Sequence, residues 1–148
     1  MKIYNLIILD ESGSMSSIYN HALSGINETI NGIRQSQEKY PEQEHFVSIV
    51  TFEGNGMDGV KTRRDGIPVG DVKDLTKKDY QPGGCTPLYD AMGKAISELD
   101  CKVESGDGVL VTIITDGMEN SSREYSGRAV KDLVAMQRKK GWTFAYIG

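Results

Sequence analysis

The sequence predicts a three-layer α/β protein with a Rossmann-like, mostly parallel sheet between helices on both faces. Apolar runs without alternation, such as residues 6–9 and 109–115, are typical of strands covered on both faces. Helical apolar patterns lie between these runs, and repeated strand–helix–strand units favour a parallel sheet. A chain of 148 residues with 38% hydrophobic content is sufficient for one domain, which we assign to residues 1–148.

Four apolar runs, rich in β-branched or aromatic residues, predict the core strands. They are residues 6–9, 46–52, 109–115 and 142–147. The glycine-rich and charged stretch from Gly54 to Gly84 is a connection, in which residues 57–63 predict an antiparallel edge strand and 71–75 a short turn or helix.

Three stripes with apolar residues three or four positions apart predict the helices. The first comprises Ile18, Ala22, Ile26, Ile30 and Ile33, the second Leu88, Ala91, Met92, Ala95, Ile96 and Leu99, and the third Ala129, Val130, Leu133, Val134 and Gln137.

The charge pattern argues against nucleic acid and membrane partners. The formal net charge is −4, and acidic and basic residues are mixed without long runs of one sign. No apolar run approaches the roughly 20 residues of a membrane span, and no cleavable signal pattern precedes the first strand. We therefore expect a cytoplasmic protein in which Cys85 and Cys101 are free thiols. The sequence does not determine the oligomeric state.

Three polar clusters follow or precede these elements at one edge of the predicted sheet. They are residues 10–14 after the first strand, 83–87 before the second helix, and 115–117 after a later strand. Ligands of open α/β sheets bind beyond the carboxyl ends of the strands. The carboxylates and hydroxyls of these clusters are hard oxygen ligands, which favour Mg²⁺, Mn²⁺ or Ca²⁺.

The pattern Asp10-x-Ser12-x-Ser14, with Thr86 in Gly-Gly-x-Thr-Pro-Leu and Asp116 in Thr-Asp-Gly, resembles a known metal site. It is similar to the metal-ion-dependent adhesion site (MIDAS) of von Willebrand factor type A domains, and the resemblance covers nearly the whole chain. It implies that Ser12, Ser14 and Thr86 contact Mg²⁺ directly. Asp10 would act through water, and Asp116 through water or directly. An Asp or Glu carboxylate of a partner protein would complete the octahedron.

Residues 116–125 look like those of stand-alone intracellular members of this family from bacteria or phages. The chain differs from the family pattern by ending at Gly148, where members usually add a last strand and helix. We therefore expect residues 142–147 to form an unprotected sheet edge, and the native chain to continue beyond Gly148.

Other interpretations of the Asp10 cluster remain open. Asp10, Ser12 and Ser14 also suit a turn followed by a helix cap. A Mg²⁺-dependent phosphoryl-transfer hydrolase of the haloacid dehalogenase kind would use Asp10 as nucleophile, but Ser12 stands where its acid/base aspartate is required. A third alternative is a metal-free scaffold that binds through a helix face or the sheet edge.

Residues 54–59 match the glycine fingerprint of dinucleotide-binding proteins. A helix should follow such a fingerprint, yet residues 60–66 have no helical apolar stripe, so we expect a hairpin connection and no nucleotide. His21 and His45 have no histidine or cysteine at ligand spacing, and we expect both at the surface.

Overall fold

The computed structural model describes residues 2–10, 19–52, 60–72, 88–104, 106–115 and 125–147. Its strands are β1 (Lys2–Asp10), β2 (Glu44–Phe52), β3 (Val60–Pro68), β4 (Gly108–Ile114) and β5 (Thr143–Ile147). Its helices are α1 (Tyr19–Lys39), α2 (Leu88–Asp100) and α3 (Gly127–Lys139), with a 3₁₀ turn at Val69–Asp71.

The five strands form one sheet in the order β3-β2-β1-β4-β5. β1 is parallel to β2 and to β4, β4 is parallel to β5, and β3 runs antiparallel to β2 at the edge. This arrangement confirms the predicted mostly parallel sheet with one antiparallel edge strand. The strand order reverses at β1, because β2 lies on one side of it and β4 on the other.

The two faces of the sheet carry separate apolar cores, as the unbroken apolar run of β1 predicts. Leu6 and Ile8 pack in the core that includes α2 and α3, whereas Ile7 and Leu9 pack in the core that includes α1. All four side chains are at most 2% exposed. Alternation of side chains along a strand produces this division, and helices therefore cover both faces.

Most of the described stripe residues are buried or partly buried, but Ala129 of α3 is exposed, and Ile18 lies outside the described residues. Ile26, Ile30 and Ile33 of α1 are buried, but the helix continues to Lys39 through residues that favour helices without facing the core. At the start of α3, the Ser126 hydroxyl accepts a hydrogen bond from the backbone N–H of Ala129 at 3.0 Å, the usual geometry of a helix cap.

The edge strand and the turn after it occupy different residues from those predicted. The strand was expected at residues 57–63 and is found at 60–68, where its register with β2 shifts around Ile49. Its sequence is largely polar, so periodicity did not reveal its limits, which depend on pairing with β2. Residues 54–59 lie outside the described residues, but a strand and not a helix follows them, as expected.

The expectation for His45 was wrong. This side chain is only 8% exposed. Polar side chains lie within hydrogen-bonding distance of both ring nitrogens and compensate for the lost water: Asn5 Nδ2 is 3.3 Å from Nδ1, and Gln43 Oε1 is 3.3 Å from Nε2. His21 is exposed, as expected.

β5 lies at the edge of the sheet, and β4 is its neighbour there. Tyr146 of this strand is 57% exposed. No helix in the described ranges has the length and apolar character needed to cross a membrane.

Candidate metal centre

Asp10 is the last residue of β1, at the carboxyl edge of the sheet where the strand order reverses. The residue before it, Leu9, pairs with Ile114, the last residue of β4. The Asp10 side chain is fully buried between the neighbouring strands. Burial of an ionised carboxylate is costly unless hydrogen bonds or a cation compensate for lost water, so this position requires polar partners.

Thr115 supplies one of those partners. It follows β4 directly, and its Oγ1 donates a hydrogen bond to Oδ2 of Asp10 at 2.7 Å. The residues are 105 positions apart in the chain, and the parallel register of β1 and β4 brings them together. In metal sites, hydrogen bonds from neighbouring groups commonly hold the ligating carboxylates in place, and the Thr115 hydroxyl makes such a bond to Asp10.

Of the five predicted ligands, Asp10 is the one that belongs to the described residues. Asp10 lies at the expected edge, whereas Ser12, Ser14, Thr86 and Asp116 lie outside the described residues. In the chain, Thr86 is two residues before α2 and Asp116 comes directly after Thr115.

The oxygen donors among the described residues at this edge of the sheet fit a hard cation. The carboxylate of Asp10 and the hydroxyl of Thr115 are oxygen donors of the kind that Mg²⁺, Mn²⁺ and Ca²⁺ prefer. Within the described ranges there is no group of three histidine, cysteine, aspartate or glutamate side chains arranged for a metal. The predicted site differs from such a group, because three of its five ligands are hydroxyls and four lie outside those ranges.

Sequence reasoning missed two polar residues near this edge. Thr115 belonged to a predicted polar cluster but had no role, and its position one residue past the strand that pairs with β1 was the available signal. Asp90 is a fully buried carboxylate in the first turn of α2, where Oδ1 accepts the backbone N–H of Tyr125 at 2.8 Å. In the sequence, the only feature that marks Asp90 is that an acidic residue stands within the apolar stripe of that helix.

Comparison with protein-family models gives no match, and comparison with curated proteins gives none either. Solved structures do resemble the chain. Proximal thread matrix protein 1 from the mussel byssus has a TM-score of 0.63 and 19% identity over 99% of this chain and 36% of its own. The pilus adhesin SpaC from Lactobacillus rhamnosus GG has a TM-score of 0.66 and 13% identity over 99% of this chain and 24% of its own.

Two further structures extend these likenesses. BatB from Bacteroides thetaiotaomicron, a conserved hypothetical protein, has a TM-score of 0.58 and 18% identity over 99% of this chain and 66% of its own. Another structure of the byssus protein, with a zinc-occupied MIDAS motif, has a TM-score of 0.62 and 18% identity over 99% of this chain and 35% of its own. The chain thus spans about a quarter to two thirds of these proteins. At such identities the likenesses concern the fold, and they show that this chain has a von Willebrand factor A-like fold.

Proposed function

We propose that this protein is a metal-dependent interaction module in which a divalent cation at the carboxyl edge of the sheet binds a partner protein. The observation that carries the proposal is the hydrogen bond from Thr115 to the buried carboxylate of Asp10 at the reversal of strand order. This is where open α/β sheets bind ligands, and Asp10 begins the Asp-x-Ser-x-Ser pattern. The adhesin and the zinc-occupied MIDAS motif among the similar structures support the same function.

The proposed ligands are Ser12, Ser14 and Thr86 in direct contact, with Asp10 and Asp116 acting through water or, for Asp116, directly. Neutral hydroxyls leave most of the cation's charge uncompensated, so the metal attracts a further anion. An Asp or Glu carboxylate of the partner supplies that charge. We propose Mg²⁺ as the resident ion, with Mn²⁺ or Ca²⁺ as alternatives, although the byssus protein carries zinc.

We propose binding and not catalysis as the role of this site. The adhesin and matrix proteins among the similar structures support a non-enzymatic function. The phosphoryl-transfer alternative requires a second acidic group two residues after Asp10, and Ser12 occupies that position. The stand-alone bacterial or phage type and the cytoplasmic location remain predictions from the sequence.

The test begins with the metal. Isothermal titration of the purified protein with Mn²⁺ and Mg²⁺ should show one site, weakened in Ser12→Ala and Thr86→Ala. Asp116→Ala should lower metal affinity by roughly 10–100-fold, the usual cost of losing a residue that orients metal ligands. Ser24→Ala is a matched control, because Ser24 is exposed on α1. Circular dichroism should show that every variant keeps the fold.

Capture of a partner should then depend on the same ion. A pull-down should retain the partner in Mg²⁺ and release it in excess chelator, and removal of one acidic residue of the partner should cause the same loss. The two losses should not add, because both remove one bridge. Binding that persists in chelator would support the metal-free scaffold, and phosphatase activity that requires Asp10 would support the hydrolase.

A further inference from the structure

The beginning of α2 and the residues that lead into α3 are joined by several contacts around Tyr125. The first is the hydrogen bond from the backbone N–H of Tyr125 to Oδ1 of Asp90, at 2.8 Å. Asp90 is fully buried in the first turn of α2, where the helix dipole favours a negative charge. The bond therefore fixes the backbone of Tyr125 to the start of another helix.

The ring of Tyr125 occupies a position that a glycine leaves open on α2. A Cβ atom added at Gly93 would lie less than 3.0 Å from three ring carbons of Tyr125, so any larger residue there would displace the ring. The tyrosine hydroxyl lies 3.5 Å from Oγ of Ser97. Asp90, Gly93 and Ser97 follow one another at spacings of three and four, and so they share one face of α2.

A second aromatic residue makes the converse contact. The ring of Tyr89 on α2 lies against Gly127, the first residue of α3, where an added Cβ would meet it at 3.1 Å. A tyrosine of α2 thus packs on a glycine at the start of α3, and the tyrosine before α3 packs on a glycine of α2. We name the group formed by Tyr89, Asp90, Gly93 and Tyr125 the tyrosine clasp.

The clasp joins the points at which two connecting segments end. Residues 73–87 end directly before α2, and Thr86 in this segment is four residues before Asp90. Residues 116–124, which include Asp116, end at Tyr125. We propose that the tyrosine clasp fixes the start of α2 relative to Tyr125 and thereby sets the affinity of the proposed metal site, with Asp90 as the principal positioning residue. This inference rests on the proposed metal-binding function.

The choice of residue at position 90 supports a positioning role. A fully buried carboxylate is an expensive way to stabilise a helix pair, and an apolar residue of similar volume would often serve stability as well. A carboxylate does provide a strong, directional acceptor for a backbone N–H. At position 90 that acceptor receives the backbone N–H of Tyr125 at 2.8 Å.

The test compares Mn²⁺ affinity, measured by isothermal titration, in the full chain and its variants. Asp90→Ala and Gly93→Ala should each weaken Mn²⁺ binding by about 10-fold or more, as loss of an outer orienting group does. Asp90→Asn keeps an acceptor oxygen and should recover most of the affinity. Amide exchange of Tyr125 in the metal-free protein should become faster in Asp90→Ala.

Leu99→Ala is the matched control, because Leu99 is buried in the last turns of the same helix, away from the clasp. It should reduce thermal stability but leave Mn²⁺ affinity unchanged. The proposed role of the clasp is wrong if Asp90→Ala and Gly93→Ala bind Mn²⁺ as the wild type does, or if Leu99→Ala weakens binding equally. If the wild-type protein binds no Mn²⁺, the proposed metal site is wrong, and the proposed role of the clasp is wrong with it.

Discussion

Gln137 shows how a single residue departs from the pattern of its helix. It occupies an apolar-stripe position of α3 and is fully buried, while neither its Nε2 nor its Oε1 has a hydrogen-bond partner among the described residues. Its backbone carbonyl is bonded, since it accepts the N–H of Trp142 at 3.1 Å. An unpaired buried amide costs about 1–3 kcal/mol.

Gln137→Met should therefore stabilise the protein, because methionine has a similar length and no polar group to leave unpaired. We expect the free energy of unfolding in urea to rise by about 1 kcal/mol. Gln35→Met on the exposed side of α1 is the control and should change it by less than about 0.5 kcal/mol. A Gln137→Met variant less stable than the wild type would mean that the amide is paired in solution.

The polar residues of the candidate site and of the clasp differ in whether a sequence pattern reveals them. Asp10 was predictable because it follows an unbroken apolar run and begins a recognisable pattern. The contribution of Thr115 depends on a hydrogen bond across 105 residues, and that of Asp90 on a segment 35 residues away. No local spacing encodes either contact.

At the scale of elements, a polar network joins the end of α1 to the beginning of β1 and β2. Gln37 of α1 accepts the backbone N–H of His45 at 2.8 Å, and Asn5 of β1 donates from Nδ2 to the carbonyl of Phe46 at 3.1 Å. Asn5 Nδ2 also faces Nδ1 of His45, so that nitrogen must be an acceptor and the imidazole neutral. Burial lowers the pKa of His45 below its usual 6.5.

The protein should consequently lose stability as the pH falls below about 6.5. The folded state binds a proton at His45 less readily than the unfolded chain does. The contribution of neutral His45 to the free energy of unfolding is therefore complete above the unfolded pKa. It decreases as the pH falls from there through the lower folded pKa. Urea unfolding between pH 8 and pH 5 measures the effect.

His45→Gln should unfold with a shallower pH dependence than the wild type, whatever its absolute stability. His21→Gln removes an exposed histidine of α1 and should keep the wild-type slope. Equal slopes in wild type and His45→Gln would show that this network does not couple to pH.

At the scale of the whole molecule, the proposed site would join parts of the chain that are distant in sequence. Asp10 ends β1, Asp116 comes two residues after the adjacent parallel strand β4, and the motifs around them contain no basic residue. Without a cation the two carboxylates should repel each other. Metal binding should therefore stabilise the folded state selectively.

Mg²⁺ at a hundredfold excess over its dissociation constant should add about 2.7 kcal/mol to the free energy of unfolding. For a domain of this size the melting temperature should rise by roughly 5–10 °C. Differential scanning calorimetry in Mg²⁺ and in chelator provides the measurement, and Ser12→Ala should show a smaller rise. A melting temperature that is the same in both solutions would contradict an occupied site.

The sequence by itself determined the class of the fold and the edge of the sheet where Asp10 lies. Continuous apolar runs and helical stripes are local patterns, and burial on both faces requires them, so β1, β4 and the three helices were predictable. Tertiary structure alone decided the limits of β3, the burial of His45 and the partners of Asp10 and Asp90. These depend on contacts between segments far apart in the chain, and the free energy of burying a polar group is set by whichever partner the fold brings to it.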